Sequence, residues 1–319
     1  MYLWCLIYDA MKIIEKPNII SPGMLVAGIG FFDGVHLGHQ ALIGNIVQTA
    51  RERNMSSAVV TFRSHPRQVL HNNYCPHLIN SFEERMQHLS ETELDYCIVL
   101  DFTQDMSMLS ARQFISFLAE DYGISCLYVG YDHRFGHNRL EGFSDYVRYG
   151  KELGVDIIRA QAYHPGGKHV SSSVVRTLLS QGKVEEAASL LTYSYCLEGE
   201  VIEGHKLGRE LGFPTANLRL TDNHKIIPAN GVYAVRVQLP NGSLKNGMLN
   251  IGTRPTVSNG RGRSIEVNLF DFSGNLYGCV LKVFLIAFLR EEERFSNIEK
   301  LIAKIQKDKE HTLRILLSQ

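Results

Sequence analysis

Residues 24–40 read MLVAGIGFFDGVHLGHQ. From Met24 to Phe32 every residue is apolar or glycine, as in a strand buried on both faces of a sheet. Asp33 and Gly34 break the run, and His36-Leu37-Gly38-His39 leads into a helix whose Leu42, Ile43, Ile46, Val47 and Ala50 form an apolar stripe at helical spacing. The same texture repeats outward to about Leu191. SSAVVTF, YCIVLDF, CLYVGY and VDIIRA predict further strands, and SFEERMQHLS and SARQFISFLAEDYG predict helices between them, the latter opened by Ser110 as N-cap and closed at Gly123. Strand and helix in alternation predict a parallel sheet with helices on its faces. Ligands of such sheets bind at the carboxyl ends of the strands, beside helix N-termini, which is where the two histidines stand.

Near TYSYCLEG, residues 192–199, the texture changes. GVYAVRVQL alternates Tyr233, Val235, Val237 and Leu239 with polar or small residues, Asn241-Gly242 marks a hairpin turn, and SIEVNLFDF sets Ile265, Val267 and Leu269 against Glu266 and Asn268. Closely spaced antiparallel strands predict a small barrel. Phe295, Ile298, Leu301, Ile302 and Ile305 predict a terminal helix, with Ser296 and Glu299 as its capping box. The fold class is therefore α/β with a parallel sheet over residues 11–192, followed by a small antiparallel β-barrel and terminal helix over 193–319.

The 319 residues suffice for two domains, each with its own core. With 33 acidic and 33 basic residues the formal net charge is zero, which disfavours a long nucleic-acid footprint. Six cysteines are scattered without a C-x-x-C pair, the pattern of free thiols in a reducing compartment, so the cytoplasm is expected. The apolar opening MYLWCLIY is too short to span a bilayer, and residues 1–10 read as an extension upstream of Met11. Oligomeric state has no signature in this sequence.

His36 and His39, three residues apart at a helix start, lie on one face, where unpaired N–H groups and the helix dipole favour an anion. A metal pair is disfavoured because no third ligand lies at suitable spacing. In HVSSSVVRTLL, Ser171, Ser172 and Ser173 open another helix with Arg176 one turn on, offering hydroxyls and a guanidinium to a triphosphate. A second phosphate cradle is predicted in EGEVIEGHKLGRELGFPTANL. Gly204, Gly208 and Gly212 permit backbone approach, and Thr215 and Asn217 supply neutral oxygens suited to Mg²⁺. It is not a P-loop, because no G-K-[ST] follows. Glu266, on the polar side of an apolar strand, is the candidate base.

These segments occur in a shared order. GIGFFDGVHLGHQ, FRSHPRQVL, YVGYDHRFGHNRLEG and HVSSSVVR, then GRELGFPTANL, PANGVYAVRV, MLNIGTRPTV and IEVNLFDF with LYG, resemble the bifunctional riboflavin kinase and FAD synthetase family of bacteria from about Met24 to Phe295. The resemblance implies a Rossmann-like nucleotidylyltransferase domain and a riboflavin-kinase barrel. Its substrates would be riboflavin, FMN and ATP, with Mg²⁺ as cofactor, FMN and FAD as products, and neither nucleic acid nor membrane as partner. It implies that Gly30, Phe32, Asp33, His36, His39, Ser172, Ser173 and Arg176 bind ATP for adenylyl transfer, with His36 and His39 catalytic. His65, Pro66, Arg67, Asp132 and Arg134 would lie on the flavin side. In the kinase, Gly204, Gly208, Arg209, Gly212, Pro214, Thr215 and Asn217 would bind ATP, with Thr215 and Asn217 on Mg²⁺ and Glu266 as base. Phe31, where many members carry Asn, His133, where Phe is common, and TYSY at 192–195, in place of the usual Gly-Arg-Pro-Tyr, depart from the pattern. Two rival readings stand beside this one: a nucleotidylyltransferase for another phosphate monoester with a non-catalytic flavin-binding C-terminal domain, and a flavin-binding regulator without activity. A class I tRNA synthetase, which shares H-x-G-H, is discounted for want of a basic surface and an anticodon-binding extension.

Overall fold

A computed structural model describes residues 11–17, 24–70, 77–131, 134–137, 140–161, 163, 170–204, 208, 211–253 and 263–318. The chain divides into two compact units, Met1–Ser172 and Ser173–Gln319.

The first unit carries β1 (Lys12–Ile14), β2 (Leu25–Ile29), α1 (Leu37–Glu52), β3 (Ser56–Phe62), α2 (Pro66–Leu70), α3 (Phe82–Ser90) and β4 (Tyr96–Leu100). It continues with α4 (Gln104–Ser107), α5 (Ala111–Tyr122), β5 (Ile124–Val129), α6 (Phe143–Leu153) and β6 (Asp156–Arg159). The six strands form one sheet in the order β1-β4-β3-β2-β5-β6, every neighbouring pair parallel. Alternate residues of β2 feed two cores. Leu25, Ala27 and Ile29 pack toward Phe114, Ile115 and Leu118 of α5 and Tyr146 of α6, while Val26 packs toward Ile43, Ile46 and Val47 of α1 and Met86 and Leu89 of α3. Burial on both faces is why these strands read as unbroken apolar runs. The Ser110 cap appears as expected: its hydroxyl accepts the Gln113 N–H, the Gln113 side chain accepts the Ser110 N–H, and Gly123 closes α5 at φ 71°.

The second unit begins within α7 (Ser172–Ser180) and continues through α8 (Val184–Leu191). Its strands are β7 (Cys196–Ile202), β8 (Ala216–Leu220), β9 (Gly231–Gln238), β10 (Leu244–Thr253), β11 (Arg263–Leu269) and β12 (Val280–Arg290), followed by α9 (Ile298–Leu317). They close into an antiparallel barrel in the order β10-β11-β8-β7-β12-β9. Tyr233, Val235, Val237, Leu249, Ile251, Ile265, Val267, Leu281 and Val283 are all buried at alternate strand positions, as a filled barrel interior requires. On the outer wall Val232, Met248 and Phe270 pack against Ile305 and Leu313 of α9.

One cap differs from the reading of the sequence. Asn297, not Ser296, caps α9, its side-chain oxygen accepting the Lys300 N–H at 2.9 Å. The expected stripe is rotated as well, because Ile298 is 58% and Ile302 37% exposed, while Asp308, Thr312 and Leu316 are buried. The polar members of that face are satisfied locally: Asp308 pairs with Arg290 and Thr312 donates to the Asp308 carbonyl.

Candidate active sites

β2 is the first central strand. The chain moves from it through β3 to β4 on one side, then returns to its other side for β5, so strand order reverses between β2 and β5. The carboxyl end of such a switch point is an open crevice that ligands occupy. The β2–α1 loop lies there and turns sharply, with Phe32, Gly34 and Val35 at φ 57°, 88° and 37°. A β-branched valine at positive φ is strained, and strain of this kind concentrates at functional loops. It is held by Asp33, a buried side chain whose carboxylate accepts the N–H groups of Ile79 and Asn80 at 3.0–3.2 Å. The Asp33 carbonyl in turn accepts from Ser172 Oγ at 2.9 Å, which brings Ser172 to the β2–α1 loop.

His36 is the N-cap of α1, and its Nδ1 accepts the His39 N–H at 3.3 Å. That bond leaves Nε2 as the protonated, donating nitrogen. The two imidazoles stack with centroids 3.7 Å apart and planes 14° apart, and buried Phe32 meets the His39 ring edge-on. Gly38 allows this, since a Cβ there would lie 3.2 Å from the His36 ring and 3.3 Å from the Val170 carbonyl. Gly30 donates its N–H to the Val60 carbonyl, marking the last rung of the β2–β3 ladder. Ser173 is exposed and Arg176 half-buried, both on α7.

Of the residues expected on the flavin side, His65 packs edge-on against Phe31 at 4.8 Å, and its Nδ1 accepts the Arg67 N–H. Pro66, Arg67 and Arg134 line a cavity of about 460 Å³ whose apolar wall includes Ile29, Phe62, Phe102 and Phe135. Apolar walls with a few charged groups are usual for small-molecule sites. Asp132 and His133 lie outside the described residues. Sequence reading missed Arg85, a buried cation on α3 that donates to the carbonyls of Phe31, Phe62 and Arg63. The signal was present: Phe82, Arg85, Met86 and Leu89 share one helical face, and a cation stands in an otherwise apolar series.

In the second unit, strand register builds the site. Asn217 pairs with Glu266, Glu266 with Asn250, and Asn250 with Val232, so one row of side chains crosses four strands on the same face. Thr215, just before β8, donates from Oγ1 to Glu266 Oε2 at 3.3 Å. Thr215, Asn250, Glu266, Asn268, Arg290 and Asp308 line a cavity of about 420 Å³ at the outer barrel wall, with Leu301 and Ile305 of α9. Thus the polar face of β11 faces a cavity. Asn268 donates to the Pro214 carbonyl at 2.7 Å, and Phe213 donates its N–H to the Gly208 carbonyl at 2.8 Å, which shapes the glycine loop. Gly204 abuts the Asn217 amide, and Gly212 takes φ 83°. Arg209 and Arg254 lie outside the described residues. Asn250, Asn268 and Asp308 were not singled out in sequence. Strand alternation already put Asn268 on the side of Glu266, whereas only the pairing register reveals Asn250 and only the helix rotation reveals Asp308.

Among the described residues no group of three or more His, Cys, Asp or Glu is placed to hold a metal ion. No helix among them is long and apolar enough to cross a membrane.

The fold defines a class of two-unit proteins, a parallel α/β sheet with an anion-suited loop at its switch point followed in the same chain by a closed antiparallel barrel with a polar outer row. Residues 20–174 match the FAD synthetase family and residues 191–316 the riboflavin kinase family. The bifunctional riboflavin kinase/FMN adenylyltransferase of Escherichia coli K12 is 36% identical over 302 residues, 93% of this chain and 96% of that protein. The Bacillus subtilis protein of the same name is 37% identical, covering 91% and 92%. A solved Streptococcus pneumoniae structure, titled a macrolide-efflux protein, superposes with TM-score 0.81 at 27% identity over 95% of this chain and 98% of its own. The chain belongs to the bifunctional riboflavin kinase/FMN adenylyltransferase family.

Proposed function

We propose that this enzyme phosphorylates riboflavin to FMN on the barrel and adenylylates FMN to FAD on the parallel sheet, using ATP twice, with a division of labour set by the proton inventory of the two nucleophiles. An FMN phosphate is already an anion when it attacks the α-phosphorus of ATP and expels pyrophosphate. It needs charge neutralisation and alignment, not a base. His36, His39 and the α1 N-terminus meet that charge, with Ser172, Ser173 and Arg176 of α7, while Asp33, Phe32 and Gly30 hold the loop. His65, Pro66, Arg67, Asp132 and Arg134 form the flavin side. Functionally α7 and α8 belong with the sheet, because α7 carries the Ser-Arg element, so we assign adenylyl transfer to 11–192 and phosphorylation to 193–319.

The riboflavin 5′-hydroxyl, by contrast, must lose a proton as it attacks the γ-phosphorus and ADP leaves. Glu266 is the group assigned to take it. The carrying observation is the row Asn217–Glu266–Asn250 with the Thr215 hydroxyl at 3.3 Å from the Glu266 carboxylate. Thr215 and Asn217 offer neutral oxygens of the kind that suit Mg²⁺. When bound with ATP it neutralises phosphate charge. Gly204, Gly208, Arg209, Gly212 and Pro214 form the cradle. We place the enzyme in the cytoplasm, in keeping with free thiols at Cys97, Cys126, Cys196 and Cys279.

Glu266→Gln tests the base. Riboflavin kinase kcat is expected to fall by about 10²-fold or more with KM for ATP nearly unchanged, since the base acts only in the transition state. A variant that phosphorylates riboflavin at the parent rate contradicts the assignment.

A further inference from the structure

Where the β2–β3 ladder ends at Gly30, Arg85 meets the backbone carbonyls that follow. Its Nη1 donates to the Phe31 carbonyl at 2.8 Å, and its Nη2 to the Phe62 carbonyl at 2.6 Å and the Arg63 carbonyl at 3.3 Å. Thr61 Oγ1 reaches the same Phe31 carbonyl at 3.1 Å, and the guanidinium lies 4.0 Å above the Phe31 ring. His65 also meets the Phe31 ring, edge-on at 4.8 Å. One planar cation therefore splices two segments: the loop after β2, which leads to His36, and the turn after β3, which carries His65 and leads into Pro66 and Arg67 of α2.

Burial makes that cation costly. Arg85 is 2% exposed and touches no carboxylate among the described contacts, and desolvation pulls its pKa down to about 10, partly opposed by Asp33. It still carries its charge at neutral pH. An apolar side chain in its place would avoid the desolvation penalty but would take this donor from the Phe62 and Arg63 carbonyls, so substitution costs stability as well as alignment. A fixed fork that donates to three carbonyls at the ends of two neighbouring strands while stacking on an aromatic ring is geometry that arginine supplies and lysine does not.

We propose that Arg85 is a positioning residue for adenylyl transfer, setting the gap between the nucleotide loop and the flavin-side loop so that the FMN phosphate stands in line with the α-phosphorus. This rests on the loop assignments above. Misalignment of reacting atoms by about 1 Å can cost about 10²-fold in rate without loss of ground-state binding.

Arg85→Lys keeps the charge and loses the fork. In the full chain, assayed well below the variant's own melting temperature, FMN-to-FAD kcat is expected to fall at least about tenfold while KM for ATP stays within about threefold. Riboflavin phosphorylation by the same sample is expected to hold, which reports a folded barrel unit, and the retained KM for ATP in FAD formation reports a folded sheet unit. Arg85→Met is expected to lose at least as much kcat. FAD formation by Arg85→Lys within about twofold of the parent kcat overturns the proposal, as does a loss carried wholly by KM for ATP. His36→Ala, assayed alongside, reports on the nucleotide-loop assignment independently: full activity there sinks that assignment, whereas full activity in Arg85→Lys with loss in His36→Ala sinks only the role of Arg85.

Discussion

At Gly204 a single methyl group decides whether the kinase cradle can form, because a Cβ there would collide with the Asn217 amide. Gly204→Ala is expected to push Asn217 out of the row it shares with Glu266, lowering riboflavin kinase kcat about tenfold or more. FMN-to-FAD turnover should be untouched, and steady-state assays of both reactions check it; an unchanged kinase rate would mean that the Asn217 amide is not part of the site. Individual residues were legible in sequence to the degree that chemistry left few substitutes. His36 at the helix cap, His39 in the first turn of α1, and Thr215, Asn217 and Glu266 at or beside strands stand where a purely structural residue would be apolar or interchangeable. Asn250 has no such mark, since a polar residue on a strand looks the same whether it faces solvent or a cavity. Arg85 was hidden for the opposite reason: an arginine on an amphipathic helix is assumed to point outward.

At the level of elements, local rules succeed where one motif satisfies the backbone and fail where two compete. Ser110 and Gln113 form the only capping box available to α5, and the helix starts there. Before α9, Ser296, Asn297 and Glu299 offer alternatives, and Asn297 takes the cap by accepting the Lys300 N–H. Asn297→Ala is accordingly expected to cost about 1 kcal/mol of unfolding free energy, and Ser296→Ala much less. Urea denaturation of the two variants checks the difference, and the reverse ranking would contradict the observed cap. The rotation of α9 was illegible because its buried face includes Asp308 and Thr312, which lower the apolar periodicity. The Arg290–Asp308 pair, 2.8 Å apart, makes that face possible and leaves Leu301 and Ile305 at the cavity.

In the whole molecule, two architectures place phosphate chemistry by different means. The parallel sheet uses chain reversal at β2 and β5, so its site follows from topology, and the alternation of strand and helix announced it. The barrel uses lateral register across β9, β10, β11 and β8, a relation among residues far apart in the chain that periodicity within one strand does not encode. The barrel was therefore legible as a fold before its site was legible as a surface. The central claim is that each architecture does one reaction with its own residues. The direct measurement supplies riboflavin and FMN separately, with ATP and Mg²⁺, to the intact chain carrying either His36→Ala or Glu266→Gln. FAD formation from FMN should be lost in the first and kept in the second, with FMN formation from riboflavin showing the reverse. Equal loss of both reactions in either variant would contradict separate sites.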